Sequence, residues 1–238
     1  MRRIFLIGFP ITLIILALGF WQAMFVVPNE ATQGEIYRII YYHVPSNVMG
    51  LLFPYVNFIA SIVYLAVRRS NPARALAADA VAVASAEVTL VFVSIGLGTG
   101  MLWAKPVWGI WWTWDPRLTS ALVLWLIYAS YLLLRRFTAG QQTQTLAAVL
   151  SVFAAVDVPI VYMSIRWWRT QHPAPVFFGG PDSGMDPRML PAIYWNLAGW
   201  FCWGVLLVLF RYALERKRQI AEQAAGLRAL DGTLEAAR

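Results

Sequence analysis

Two histidines and a cluster of tryptophans are the residues of this chain best suited to bind a cofactor. His43 and His172 are the only histidines among the 238 residues, and four indoles stand within the seven residues 108–114, followed by Asp115 and Arg117. Imidazole is the commonest neutral metal ligand, and two histidines can hold a haem iron from opposite faces. Indoles offer broad apolar faces and favour the membrane–water boundary. The sequence therefore predicts either an aromatic belt or a platform for a flat, amphipathic ligand.

Haem suits these residues better than zinc does. Structural zinc takes four N or S ligands and catalytic zinc three, whereas the segments around the two histidines contain no cysteine and no HExxH-like spacing. Haem needs two axial ligands and apolar walls. Aromatic residues for such walls are plentiful in these segments: Tyr37, Tyr41, Tyr42, Trp103, Trp108, Trp111, Trp112, Trp114, Trp167, Trp168, Phe177 and Phe178. Haem propionates could pair with a guanidinium, and the sequence leaves four candidates open: Arg38, Arg117, Arg166 and Arg169.

Membrane-spanning helices must position these residues. The chain is 60% hydrophobic and 13% charged, and its apolar runs are continuous rather than alternating, which favours helices over a barrel. Six runs reach the roughly 20 residues needed to cross a bilayer: Ile4–Val27, Val44–Val67, Leu76–Met101, Leu118–Leu134, Leu146–Ile165 and Leu190–Phe210. The prediction is an all-α membrane protein, with six transmembrane helices in one bundle over residues 1–210 and a basic, partly helical, solvated tail over 211–238.

Positive charge predicts that the N and C termini are both cytoplasmic. Basic clusters flank alternate connections, namely Arg2/Arg3, Arg68/Arg69/Arg74, Arg135/Arg136 and Arg211/Arg216/Lys217/Arg218. The remaining connections, which carry both histidines and the tryptophan segment, would then share the outer side. The net charge of +7 is explained by these flanks and by anionic lipid, without a nucleic-acid partner. The single Cys202 excludes an intramolecular disulfide.

Three acids lie within or beside the apolar runs. Glu87 and Asp157 interrupt them, at a cost of about 2.5–3.5 kcal/mol each at a helix centre. They serve either proton coupling or the tying of helices together, and we favour the second because no intramembrane basic partner is evident. Asp79 lies near the cytoplasmic end, and we expect it to be solvated. The glycines of segment 96–100 are expected to allow close helix packing.

The segment WGIWWTWDPRLT at residues 108–119 resembles the WWD signature of a family of membrane haem-handling proteins. The RLT that ends it is similar to the cytochrome c maturation protein C (CcmC) branch, whereas larger related assembly proteins usually carry a glutamate there. His43 in YYHVP and His172 in WWRTQH resemble the two outer histidines of that branch, and the six spans agree over almost the whole chain. Pro116 departs from versions with alanine at that place.

This resemblance implies a multi-pass protein of the bacterial inner membrane that binds haem b as cargo at its periplasmic face. It implies axial ligation by His43 and His172 and a haem-bounding motif of Trp108, Trp111, Trp112, Trp114, Asp115 and Arg117. It also implies delivery of haem to the periplasmic chaperone CcmE, with the ABC transporter subunits CcmA and CcmB and the small membrane protein CcmD as partners. No nucleophile elbow or hydrolytic triad stands out, so the sequence disfavours an enzyme.

Two other classes of protein stay open. A b-type electron-transfer subunit would also ligate haem with two histidines, but such histidines usually lie within helices, and the sequence predicts both of these at loop positions. A proton-coupled transporter of small molecules would use Glu87 and Asp157 instead. Solute uptake lost in neutral variants of these acids, with the histidines dispensable, would select the transporter.

Overall fold

The protein is a bundle of long helices, and its computed structural model describes residues 2–138, 141–175, 177 and 184–236. A π-helical turn, Gln22–Val26, continues the first long helix, and a 3-10 helix, Glu35–Ile39, precedes the second. Six helices within the described residues are long and apolar enough to span a membrane, which confirms the predicted fold class. They are α1 (Arg2–Trp21), α2 (Ile40–Val67), α3 (Pro72–Trp108), α4 (Pro116–Phe137), α5 (Gln141–Trp167) and α6 (Leu190–Ala236).

Most helices are longer than the apolar runs that predicted them, because polar caps extend their ends. Asn71 accepts a hydrogen bond from the Arg74 N–H at 3.0 Å and starts α3 four residues before the apolar run. The same helix ends beyond its run, where Gly109 adopts φ 78° and donates its N–H to the Lys105 carbonyl. Hydropathy detects the membrane-crossing part of a helix, whereas its ends follow the capping residues.

The helices pack so that two ends of the bundle differ in chemistry. α2, α3, α4 and α5 share a core that includes Val83, Leu124, Tyr128 and Val158, while α1 packs mainly against α6. We name the end with His43 and His172 the histidine end, and the end with Arg68 and Arg135 the arginine end.

A buried ion pair lies at the arginine end of the bundle. The Arg135 guanidinium donates to both Asp79 carboxylate oxygens, at 2.6 and 2.8 Å, and the Asp79 side chain is only 3% exposed. Gln144 and Gln219 donate to the same carboxylate at 3.3 Å. The expectation that Asp79 is solvated is therefore wrong: α4, α5 and α6 cover it and supply the polar partners that a buried charge requires.

The predicted tail begins as part of the bundle. α6 continues without a break from Leu190 to Ala236, and the Arg211 guanidinium pairs with Glu87 of α3. Glu215 and Gln219 are buried one and two turns further on, while residues 220–229 are exposed. Glu87 thus has the basic partner that the sequence did not reveal, and the pair ties α3 to α6 as expected of a helix-tying acid.

Candidate functional site

A cavity of about 990 Å³ opens among α2, α3, α4 and α5 at the histidine end. Its volume lies at the upper end of the range typical of ligand pockets, about 300–1,000 Å³. The walls are mostly apolar, and five of the predicted site residues line them: His43, Trp108, Trp112, Arg117 and His172. The fold therefore brings together residues that lie up to 129 positions apart in the sequence.

The two histidines face each other across this cavity. Their ring centres are 6.3 Å apart, and their ring planes differ by 31°. A metal–imidazole bond is about 2 Å long and a ring nitrogen lies about 1.2 Å from its ring centre, so two imidazoles on opposite sides of one metal ion have centres about 6.4 Å apart. The observed separation fits a single metal ion held between the two rings.

His43 lies within α2 rather than at the loop position predicted for it, because the helix begins at Ile40. Its ring fits against α3 at Gly100, where a Cβ atom would come within 3.1 Å of the His43 Cε1 atom. Close packing is thereby confirmed at Gly96 and Gly100 but not at Gly98, where a Cβ atom would meet nothing within 4 Å, and Gly100 makes room for a candidate ligand. The ring position is set by two packed helices.

Hydrogen bonds fix the tautomer of His43. The Thr99 hydroxyl donates to the Ile95 carbonyl at 2.6 Å, so its oxygen accepts the Nδ1–H of His43 at 3.0 Å. The Asn47 amide then donates to Nε2 at 3.2 Å and to the His43 carbonyl at 2.8 Å. A metal ion at Nε2 must displace the Asn47 amide, because that nitrogen has only one lone pair.

His172 lies in the irregular segment after α5. Its Nδ1–H donates to the Pro173 carbonyl at 2.8 Å, which leaves the lone pair on Nε2. Burial, and then the positive charge of Arg117, lower the pKa of His172 to about 4. The ring is therefore neutral at physiological pH, the form in which imidazole ligates a metal.

Arg117 and Trp112 contribute side chains with N–H donors to the cavity wall. Arg117 donates from Nη1 to the Val161 carbonyl at 2.5 Å. The indole N–H of Trp112 is buried, inaccessible from the open space, and has no hydrogen-bond partner among the described residues. A guanidinium suits a carboxylate, so Arg117 is compatible with a propionate-bearing ligand.

The other predicted motif residues lie outside the cavity wall, as far as the described residues show. Trp114 is 74% exposed and Trp111 is 50% exposed. Asp115 caps α4 instead, since its Oδ1 accepts the Leu118 N–H at 2.8 Å. Pro116 occupies the first position of the helix, where proline is favoured.

Some of the remaining residues predicted to form the walls or to pair with a propionate line the cavity, and others do not. Tyr37, Trp103 and Phe177 line the cavity, whereas Tyr41 and Tyr42 join a neighbouring apolar cluster. Trp167 and Trp168 are exposed, and Phe178 lies outside the described residues. Of the four candidate arginines, only Arg117 is among the described lining residues; Arg38 instead binds Glu35, Asn29 and backbone carbonyls.

Several residues outside the predicted set shape the site. Asn47 and Thr99 bind the His43 ring, and Gln33 and Tyr162 add polar groups to the wall. Asn47 had a detectable signal, because position i+4 of a helix lies on the same face as position i. The contribution of Thr99 depends on how α2 packs against α3, and no local pattern encodes that packing.

One family model and three similar proteins carry the same description. A family model described as heme exporter protein C matches residues 1–225. The heme exporter protein C of Escherichia coli (strain K12) is 31% identical over 201 residues, covering 84% of this chain and 78% of the relative. The proteins of the same name from Bradyrhizobium diazoefficiens and Paracoccus denitrificans are each 34% identical, covering 79% and 83% of this chain and 69% and 80% of the relatives.

Proposed function

The chain belongs to the heme exporter protein C (CcmC) family, whose role is haem handling for cytochrome c biogenesis, and from this premise we propose that it holds one haem b as cargo between His43 and His172. The cavity would take the macrocycle, with Trp108 and Trp112 against it and Arg117 toward a propionate. Haem iron accepts two axial imidazoles when the ligands approach from opposite faces.

One observation carries the proposal: the two imidazoles lie 6.3 Å apart, centre to centre, across an apolar cavity. This separation is close to that of two ligands on a single iron. The pair comes from different elements, a helix and a loop 129 positions later, so no local packing requirement brings these rings together. The guanidinium of Arg117 at the cavity wall supports a carboxylate-bearing cargo such as haem.

We further propose that the histidine end faces the periplasm of a bacterium, with the chain in the inner membrane and both termini in the cytoplasm. The arginine and lysine clusters of the other end support this orientation. Haem would then pass to the periplasmic chaperone CcmE, and CcmA, CcmB and CcmD would assemble with the chain. Reporter fusions test the orientation: a fusion after Asp115 should act as periplasmic and one after Arg136 as cytoplasmic.

The ligand assignment is tested by spectra of purified variants loaded with haem. His43→Ala or His172→Ala should open one axial position and alter the low-spin spectrum, and the double variant should lose most of the haem. Trp21→Ala is the control, because Trp21 is 56% exposed on α1 and lies away from the cavity. An unchanged bis-imidazole spectrum in both single histidine variants would overturn the assignment.

Variants of two tryptophans in the same motif distinguish haem delivery from haem binding. Trp112 lines the cavity, so Trp112→Ala should weaken haem binding through lost contact area. Trp114 is 74% exposed, so Trp114→Ala should spare binding and lower the yield of haem-loaded chaperone in membranes supplied with haem. Normal chaperone loading by the Trp114 variant would reduce this side chain to an interfacial anchor.

The structure bears differently on the two rival functions, the b-type electron-transfer subunit and the proton-coupled transporter. His43 does lie within a helix, as in b-type electron-transfer subunits, but His172 does not. Glu87 is paired with Arg211 and does not offer a free carboxyl for proton coupling. Asp157 of α5 differs, because one of its carboxylate oxygens is buried without a hydrogen-bond partner among the described residues, so the helix-tying role expected of it has no partner there. Family membership and the facing imidazoles both favour haem handling.

A further inference from the structure

The two histidines of the site are held by very different means. His43 stands on a helix, with its ring between Thr99 and Gly100 of α3. His172 stands on an irregular segment, where no ladder of backbone hydrogen bonds sets its position. An axial ligand must be placed to within about 0.5 Å to be productive, so the His172 segment needs a tether of its own.

A side-chain relay supplies a tether between this segment and α4. The Thr170 hydroxyl donates to Asp115 Oδ2 at 2.6 Å, and the Thr170 Oγ1 atom accepts the backbone N–H of His172 at 3.0 Å. Asp115 is itself fixed, because its other oxygen accepts the Leu118 N–H at the start of α4. Each group uses a different hydrogen or lone pair, so all three bonds exist together.

We propose that Thr170 and Asp115 are positioning residues for the His172 imidazole, and that the aspartate of the WWD motif acts through Thr170 rather than on haem itself. The proposal rests on the proposed function, in which His172 ligates the iron. It explains why Asp115, although part of the motif, is not among the described residues that line the cavity. A carboxylate acceptor makes the bond to Thr170 charge-assisted and stronger than a neutral one.

The relay also links the two parts of the site that differ most in rigidity. Asp115 begins the helix that carries Arg117, and Thr170 lies two residues before His172. The propionate-binding candidate and the loop ligand are therefore placed by the same carboxylate. Loss of the relay should release His172 while leaving His43 and its α3 contacts in place.

The test compares Thr170→Val, which removes donor and acceptor, with Thr170→Ser, which keeps both. With haem bound, Thr170→Val should lose low-spin character and release haem about tenfold faster, and added imidazole should restore the low-spin spectrum, as it should in His172→Gly. Thr170→Ser should match the parent protein. Thr138→Val is the matched control, because Thr138 is exposed at the far end of α4 and, within the part of the chain that the structure describes, its hydroxyl bonds only to the Leu134 carbonyl of that helix.

A second variant covers the case in which Thr170→Val fails to fold. Asp115→Asn keeps an oxygen for the Leu118 cap but withdraws the carboxylate from Thr170, and it should show the same recovery with imidazole. A parent-like spectrum in Thr170→Val, or low-spin loss that imidazole does not restore, overturns this inference while His172→Gly still responds. An unchanged spectrum in His172→Gly would instead overturn the proposed function.

Discussion

Adding one methyl group to α3 should displace a candidate iron ligand. In Gly100→Ala the new Cβ would lie 3.1 Å from the His43 Cε1 atom, whereas carbon atoms pack best at about 3.5–4.0 Å. The imidazole must therefore move by about 0.5 Å, or the helices must separate. Overpacking of this kind costs about 1–3 kcal/mol. If returning the ring to its ligating position costs that amount, haem affinity falls by about 5- to 150-fold.

Gly98→Ala is the matched control on the same helix. A Cβ at Gly98 meets nothing within 4 Å, and alanine favours a helix over glycine by about 1 kcal/mol. The assay is a haem titration of both purified variants, with the low-spin absorbance as readout. Equal affinities for the two variants would refute the argument that the α3 glycine sets the place of the His43 ring.

Two further variants probe the release of cargo and the arginine end. Asn47→Ala removes the amide that competes for His43 Nε2. Haem dissociation should therefore slow about two- to tenfold, as expected for one net hydrogen bond. The rate is measured by transfer of haem to an apo-globin trap, and faster dissociation would contradict this expectation. Asp79→Ala removes the two short carboxylate bonds of the buried Arg135 guanidinium and leaves Glu215, at 3.8 Å, as its carboxylate partner among the described residues, so the free energy of unfolding in detergent should fall by about 3 kcal/mol, the lower end of the cost of breaking a buried ion pair. Asp186→Ala is its control, because the Asp186–Arg188 pair is exposed and its loss should leave unfolding unchanged.

The spans could be predicted from sequence because bilayer thickness imposes a length of apolar helix that any chain must satisfy. Helix ends were less predictable, and the expected position of His43 was affected by this. Glu35–Ile39 already forms a 3-10 helix ahead of α2, so His43 stands inside a helix although the apolar run was read from Val44. The residues that start this helix mix isoleucine with charged and aromatic side chains, so the continuous apolar run begins only at Val44.

The candidate ligands of the site could be predicted from the sequence better than the residues that hold those ligands in place. Histidine and tryptophan are rare and chemically specific, so His43, His172 and Trp112 stood out from the sequence. Thr170 and Asn47 are ordinary residue types whose roles depend on long-range packing. The same holds at the arginine end, where Asp79, in α3, meets Arg135 from α4 across 56 positions. Asp115 followed by proline is a local signature of a helix start, and it gives no hint of the bond to Thr170.

The central claim is that one iron is held between His43 and His172, and electron paramagnetic resonance of the ferric, haem-loaded protein tests it most directly. The ring planes differ by 31°, and nearly parallel axial imidazoles give a rhombic low-spin signal, whereas perpendicular ones give a signal dominated by a single large g value. We expect the rhombic low-spin signal, lost in both His43→Ala and His172→Ala. A high-spin signal in the parent protein, or a low-spin signal that survives both substitutions, would contradict the account.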